Sequence, residues 1–370
     1  MYFRSPVCPP ARMAAQVPAA RRARPARLVC AAAQRRLRDP ARQAVSHDPG
    51  TRGLGRGRAG AGPAGAATRP ASGDRTVRDR RRRVSTILVT GASGFVGSRL
   101  VPRLEAGHKV VALSRKPLAG AACTIRGDFS SFENLRQLDA HQIDAVVHLA
   151  GEVGGTSEEA GLATNVLGTR RLLRYLSDRG CRKFVLASSI AAVGCLHAEF
   201  VPQALPIADR HPCLARDAYG LSKAMVEQLA AYFARIVPDG EYTCLRFGWV
   251  MYSSRKEMPW SSAQALPALP FLYLGQVTSQ DLLDGICAVL EAPVRPGAGV
   301  YNLVGPNLRV LDKVADVLRA GLGERARQLD LSAHEVSGAV ASPIYAMDAL
   351  HSDYGFAPSH SVCEPDPGTV

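Results

Sequence analysis

From about residue 86 onward, short apolar runs alternate with longer amphipathic stretches. Thr86-Ile-Leu-Val89, Lys109-Val-Val-Ala-Leu113, Cys123-Thr-Ile125, Asp144-Ala-Val-Val-His-Leu149 and Lys183-Phe-Val-Leu-Ala187 are aliphatic or β-branched at consecutive positions. A strand with one solvated face alternates; a run apolar throughout belongs to a strand buried on both faces. Helical stretches separate them, from Gly97 to about Ala106, from about Ser157 to Asp178, and from Asp217 to about Arg235. Cys244-Leu-Arg246-Phe-Gly-Trp249-Val forms a sixth strand and its exit. Strands and helices in alternation predict an α/β fold, a doubly wound parallel sheet with right-handed crossovers and ligands at the C-terminal strand ends. Further on, Leu282–Glu291 predicts a helix, Gly299-Val-Tyr-Asn-Leu303 a strand and Val310–Leu322 a helix. These form a small C-terminal lobe on the substrate side, mainly residues 247–360, with residues 363–370 a frayed tail.

Composition divides the chain rather than characterising it. The net charge of +14 looks like a nucleic-acid signature until it is located. Residues 1–84 carry 20 arginines and 4 acidic residues, whereas the remaining 286 residues carry 26 basic and 28 acidic ones. The globular part is close to neutral, without a basic stripe for nucleic acid. The first 84 residues, rich in Arg, Ala, Gly and Pro, cannot bury enough surface to offset the entropy of ordering, and disorder is expected. Three readings stay open for them: a transit peptide, a basic arm built on Arg81–Arg83, or a start assigned too far upstream. The last is favoured, because Val84-Ser-Thr before the first strand makes a natural beginning, with Val encoded by GTG. The nine cysteines have neither metal-ligand spacing nor a disulfide framework, so reduced thiols in a cytoplasmic compartment are expected and no metal. No apolar run approaches about 20 residues, which argues against a membrane span.

The first strand runs into Thr90-Gly91-Ala92-Ser93-Gly94-Phe95-Val96-Gly97 and then a helix. In such a turn Gly91 permits the bend, Gly94 lets backbone approach a pyrophosphate, and Gly97 allows helix to pack closely on strand. The helix N-terminus presents N–H groups and a positive dipole end to phosphate. The spacing is GxxGxxG, and its force comes from its place at the head of the β/α alternation. This is a dinucleotide site of the Rossmann type. After the second strand stands Ser114-Arg115-Lys116 rather than an acidic residue. A carboxylate there would take the ribose 2′-OH of NAD; Arg115 favours the 2′-phosphate of NADP over NAD.

Asp217-Ala-Tyr219-Gly-Leu-Ser-Lys223 opens a strongly helical segment. Tyr219 and Lys223, at i and i+4, share a face about 6 Å apart along the axis. A nearby ammonium favours tyrosinate and is expected to lower the Tyr219 pKa from about 10, making it a general acid/base. Lys223 could also hold the nicotinamide ribose, and Ser189, ending the fifth strand, could bond the same substrate oxygen.

As a set, TGASGFVG at 90–97, Gly127-Asp128, His148-Leu-Ala-Gly151, Asn165-Val-Leu-Gly-Thr169, Ser188-Ser189 and Tyr219-Gly-Leu-Ser-Lys223 resemble the NAD-dependent epimerase/dehydratase family, the extended short-chain dehydrogenases, over about residues 86–360. The resemblance implies that Asp128 and Phe129 lie near the adenine and that Leu149, Ala150 and Gly151 line the ribose and nicotinamide. It implies that Asn165 supports a proton relay through a main-chain group or water, the alternative being a capping or core residue. It also implies a homodimer through the helices carrying Asn165 and Tyr219. The sequence departs from the pattern where dehydratases of the family carry Asp-Glu after the catalytic Ser or Thr: here Ile190-Ala191 follow Ser189, which argues against dehydration. About 25 residues separate Val250 from Leu274, a short lobe for a nucleotide sugar and similar to the compact uronate dehydrogenases. Arg246 would then pair a substrate carboxylate, or else tie the sheet to a helix. The expected function is an NAD(P)-dependent oxidoreductase acting on a hydroxyl or carbonyl carbon of a small sugar-like substrate. A nucleotide-sugar epimerase that keeps its cofactor is the alternative, and a non-catalytic NADP sensor the remote one.

Overall fold

The computed structural model describes residues 84–153, 157–251, 269–306, 310, 312–336 and 343–360. The arginine-rich extension before Val84, residues 252–268 of the expected lobe and the tail from 361 lie outside the described residues. In chain order the strands are β1 (Thr86–Thr90), β2 (Lys109–Ser114), β3 (Thr124–Arg126), β4 (Ala145–His148), β5 (Lys183–Ser189), β6 (Glu241–Phe247), β7 (Trp249–Met251), β8 (Gln276–Thr278) and β9 (Gly297–Leu303). Seven of them form one sheet in the order β3-β2-β1-β4-β5-β6-β9, every pair parallel. β7 and β8 make a separate two-stranded parallel ribbon. The winding reverses between β1 and β4, which opens a crevice at their C-terminal ends.

The helices are α1 (Gly97–Glu105), α2 (Phe132–Leu135), α3 (Glu158–Leu162), α4 (Thr169–Ser177), α5 (Ala218–Ile236), α6 (Pro270–Tyr273), α7 (Ser279–Glu291), α8 (Val314–Leu322) and α9 (Asp348–Tyr354). Both sheet faces are covered, and the strand period of two shows directly. Ile87 and Val89 of β1 join Leu100 and Leu104 of α1 and Ile286 of α7 in one core. Leu88, between them, joins Leu172 and Leu176 of α4 and Val226 and Phe233 of α5 in the other. A third apolar cluster supports the C-terminal lobe: Phe271, Leu274, Val314, Val317, Leu318 and Tyr345 pack against Ile190 and Val193, just past β5.

Two expected elements differ. The helix expected over 157–178 is interrupted by a π-helical stretch, Ala163–Gly168; such bulges open the backbone ladder and re-aim a side chain, here Asn165. The helix expected from Val310 starts at Val314, where Lys313 has extended backbone. No described helix is long and apolar enough to cross a membrane.

Candidate active site

The β1–α1 turn is built by backbone. Gly91 has φ 67°, and a Cβ on it would lie 2.7 Å from the Ala150 nitrogen. A Cβ on Gly97 would lie 2.4 Å from the Gly91 carbonyl oxygen. These two glycines let β1, the loop after β4 and α1 close on one another. Gly94 is different: a Cβ there would meet only the Gly91 oxygen, at 3.1 Å, and Ser93 and Gly94 are exposed. No side chain caps α1 and its first turn has no acidic residue, so its positive end faces open space. An open glycine before an uncapped helix end at the switch point fits a pyrophosphate. Phe95 and Val96 continue the turn, half-buried, with the Arg99 guanidinium over the Phe95 ring.

Beside the turn, Ser114 donates a hydrogen bond to Ser93 Oγ at 2.6 Å. Arg115 is exposed just past β2 and pairs with Glu152 at 3.2 Å. Asp128 is half-buried after β3 and caps its own turn, accepting from Ser130 N–H at 2.8 Å. The Phe129 ring belongs to the core, edge-on to His148 at 4.8 Å and against Gly168. The ring is committed to packing, which leaves the backbone of Phe129 for the expected approach to an adenine. Leu149 and Ala150 hang on β1: their N–H groups donate to the Thr90 carbonyl and hydroxyl oxygens at 3.3 Å each. Thr90 Oγ1 lies 2.6 Å from His148 Nδ1, and His148 Nε2 lies 2.8 Å from Thr169 Oγ1. Burial, with the Lys223 charge adding to it, pushes His148 down to about 3, so it stays neutral and ties β1 to α4.

Ser189, Tyr219 and Lys223 come together where β5 ends under α5. Asp217 caps α5, accepting from Gly220 N–H at 2.7 Å, and this sets the direction of the Tyr219 turn. Ser189 Oγ accepts from Ala191 N–H at 3.1 Å and stands near enough to the Tyr219 phenol to draw its pKa down. Lys223 Nζ donates to the Ala187 carbonyl at 2.8 Å and lies 5.6 Å from the Tyr219 ring centre. The expected lowering of the Tyr219 pKa is not found. Burial pushes the phenol up to about 12, with Ser189 pulling the other way, while the ammonium is engaged by Ala187. Burial also pushes Lys223 down, to about 8.

Asn165 sits behind this group. Its Oδ1 accepts from Glu152 N–H at 2.7 Å; its Nδ2 donates to the Glu152 carbonyl at 2.8 Å and to Ser222 Oγ at 2.9 Å. A Cβ on Gly151 would lie 3.0 Å from Asn165 Oδ1 and 3.7 Å from Lys223 Nζ. Leu149–Gly151, Asn165 and Lys223 thus share one wall, and glycine at 151 keeps it clear.

Arg246 is not available to a substrate carboxylate. It is 2% exposed, and Glu227 takes its Nε and Nη2 at 2.8 Å each. It also donates to the Asp209 carbonyl at 3.1 Å. Of the two roles read from the sequence, the structure supports the tie between sheet and helix. Glu227, Ser188 and Ser222 were not singled out in the sequence. Glu227 could have been, as the next residue of the i, i+4 series through Tyr219 and Lys223. Asp281, Asp284 and His360 bring ligand-type atoms within 4.8 Å of one another. Asp284 is nevertheless paired with Arg103, and Asp281 accepts from the N–H groups of Ser359 and His360.

A glycine cradle at the switch point and a Ser/Tyr/Lys group at the end of β5 define a dinucleotide-dependent enzyme of the short-chain dehydrogenase type. The profile of the NAD dependent epimerase/dehydratase family matches residues 87–303, and the chain belongs to that family. A UDP-glucose 4-epimerase 2 of Arabidopsis thaliana is 28% identical over 184 residues, 44% of this chain and 51% of that protein. A UDP-glucose 4-epimerase of Erwinia amylovora is 27% identical over 286 residues, 68% and 83% of the two chains. The chain spans about half the length of several curated relatives that it matches. Among solved structures, MoeE5 in complex with UDP-glucuronic acid and NAD is similar with a TM-score of 0.55 and 25% identity, covering 76% of this chain and 96% of that one.

Proposed function

We propose that this protein is an NAD(P)-dependent oxidoreductase acting at a hydroxyl or carbonyl carbon of a small sugar-like substrate. The observation that carries the proposal is the gathering of Ser189, Tyr219 and Lys223 where β5 ends under α5, on the same crevice as the open glycine cradle. The dinucleotide supplies hydride transfer when bound; the residues of the chain hold it and move the proton. Gly91, Ser93, Gly94, Phe95, Val96 and Gly97 would hold the pyrophosphate, Asp128 the adenine side, and Leu149, Ala150 and Gly151 the ribose and nicotinamide side. Ser189 orients the substrate oxygen and Tyr219 exchanges its proton. A phenol that keeps its proton up to about pH 12 suits donation to a carbonyl, so reduction is served directly and oxidation gains as pH rises. Lys223 supports the tyrosinate and the cofactor ribose. Asn165 holds the Glu152 backbone beside them and completes the relay. Ile190 and Ala191, both 1% exposed, offer no acid/base pair for eliminating water.

NADP is the preferred cofactor on this reading, because the exposed Arg115 stands where an acidic residue would select NAD. The protein works in the cytoplasm with its thiols reduced; the described cysteines are free. It pairs as a homodimer through α5 and the π-helical stretch, which expose Leu167, Leu221, Met225, Tyr232 and Ile236.

A second reading, a nucleotide-sugar epimerase, is favoured by the relatives' names and by the UDP-glucuronic acid bound to MoeE5. The two differ in what they do with cofactor. Denaturing the purified protein and identifying released nucleotide by mass spectrometry separates them. Protein without nucleotide that binds added NADPH supports the oxidoreductase; a near-stoichiometric retained dinucleotide supports the epimerase. Retained NAD would also overturn the NADP preference.

A further inference from the structure

Three successive turns of α5 meet three successive residues of β5. Tyr219 meets Ser189, Lys223 meets the Ala187 carbonyl, and Glu227, one turn further, accepts from Ser188 Oγ at 2.6 Å. Glu227 is 4% exposed. Its carboxylate takes three more donors: Arg246 Nε and Nη2 at 2.8 Å each, and the Cys213 thiol at 3.2 Å. Ser188 and Arg246 are register partners on β5 and β6. One carboxylate therefore joins the helix to two neighbouring strands. Through Arg246, which also donates to the Asp209 and His211 carbonyls, it reaches the loop that leads to the Asp217 cap of the same helix.

We propose that Glu227 is a positioning residue of the active site, holding α5 in register on β5 through Ser188 and Arg246 and supporting the Lys223 ammonium from one helical turn away. The proposal rests on the functional reading above and deepens it.

Lys223 lies among several ionisable side chains. Its titratable neighbours are Tyr219 and Glu227 on α5, Cys244 on β6 and His148 on β4. Burial pushes the Cys244 thiol well up and the Tyr219 phenol up to about 12, and holds His148 down near 3. None of these three carries charge between pH 5 and 9. Burial lowers the proton affinity of Lys223, and Cys244 and then Glu227 raise it; of the two, Glu227 is the carboxylate, ion-paired with Arg246 at 2.8 Å. Arg246 fixes the carboxylate by both guanidinium edges. The arrangement keeps a buried amine charged at the place where a tyrosinate must be stabilised.

The test uses the full chain with 13C-labelled lysine, which has six lysines, and follows Lys223 by NMR as a function of pH. The signal is assigned by its loss in Lys223→Met. Glu227→Gln keeps the shape and removes the charge; the expected result is a downward shift of the Lys223 titration by on the order of one pH unit. A single substitution leaves Arg246 buried and unpaired, so the paired variant Glu227→Gln/Arg246→Gln is measured alongside it, since removing both partners is better tolerated. A smaller downward shift is expected there, because the Arg246 cation leaves together with the carboxylate. Folded variants in which Lys223 titrates as in the parent overturn the proposal. Where the paired variant does not fold, the Lys223 titration of Glu227→Gln alone decides. The functional reading fails separately: a Tyr219→Phe protein that keeps its turnover would sink that reading and leave the Lys223–Glu227 coupling as measured.

Discussion

The β1–α1 turn and the β5–α5 junction are both strand-to-helix passages at the same edge of the sheet, yet they are held in opposite ways. The turn is held by missing side chains. Gly91 and Gly97 leave room for backbone to touch backbone, and no side chain caps α1. The junction is held by side chains: Asp217 caps α5, and Ser188, Glu227 and Arg246 bind three elements through one carboxylate. On the proposed function, the turn that would receive a large anion keeps its donors open, and the junction that would hold three groups in register for proton transfer uses up its donors internally.

This contrast can be broken at several points, with effects of decreasing size. Tyr219→Phe removes the proton-transferring oxygen and leaves the ring packing; turnover should fall by about 10²- to 10⁴-fold, while dinucleotide binding followed by fluorescence changes little. A drop below threefold would show that the junction is not the reacting centre. Arg246→Met strands the Glu227 carboxylate in the interior, and urea unfolding should register a loss of about 3–5 kcal/mol; a loss below about 1 kcal/mol would mean that the network adds little to the fold. At the turn, Gly97→Ala puts a methyl group 2.4 Å from the Gly91 oxygen. Backbone must yield, costing about 1–3 kcal/mol and weakening dinucleotide affinity by calorimetry, whereas Gly94→Ala, whose methyl group meets only the Gly91 oxygen at 3.1 Å, should cost less stability and act mainly on affinity. Equal stability losses in the two variants would contradict the distinction drawn between them.

A further effect concerns pH. His148 sits between the two sites, bonded to Thr90 and Thr169 and held neutral by burial, at about 3 against an ordinary 6.5. The unfolded chain therefore takes up this proton first. The contribution of His148 is complete above about pH 6.5 and is lost as pH falls toward 3, at about 1.4 kcal/mol per unit. His148→Gln should flatten the fall of the urea midpoint between pH 6.5 and 4. An unchanged slope would mean that other groups govern acid unfolding.

The two regions also differ in how far they could be read in the sequence. The glycine turn was legible because its requirements are local: a positive φ at Gly91 and close approach at Gly97 are properties of residues six positions apart in one segment. Tyr219 and Lys223 were legible for the same reason, as neighbours on one helix face. Arg246 was not decidable. Its neighbours in sequence say that it ends a buried strand, and a buried arginine needs a partner, but that partner could equally have been a substrate or a side chain.

The alternating pattern alone determined a parallel doubly wound sheet, the cofactor turn and the Tyr/Lys helix, because strand burial, turn geometry and helix periodicity are written in short stretches of chain. Only the tertiary structure decided the partner of Arg246, the turning of Phe129 into the core, the hold of Asn165 on Glu152, and the burial that keeps the Tyr219 proton bound. Each of these depends on residues a dozen or more positions apart meeting in the folded interior, where desolvation and one well-placed carboxylate outweigh anything that local sequence can express.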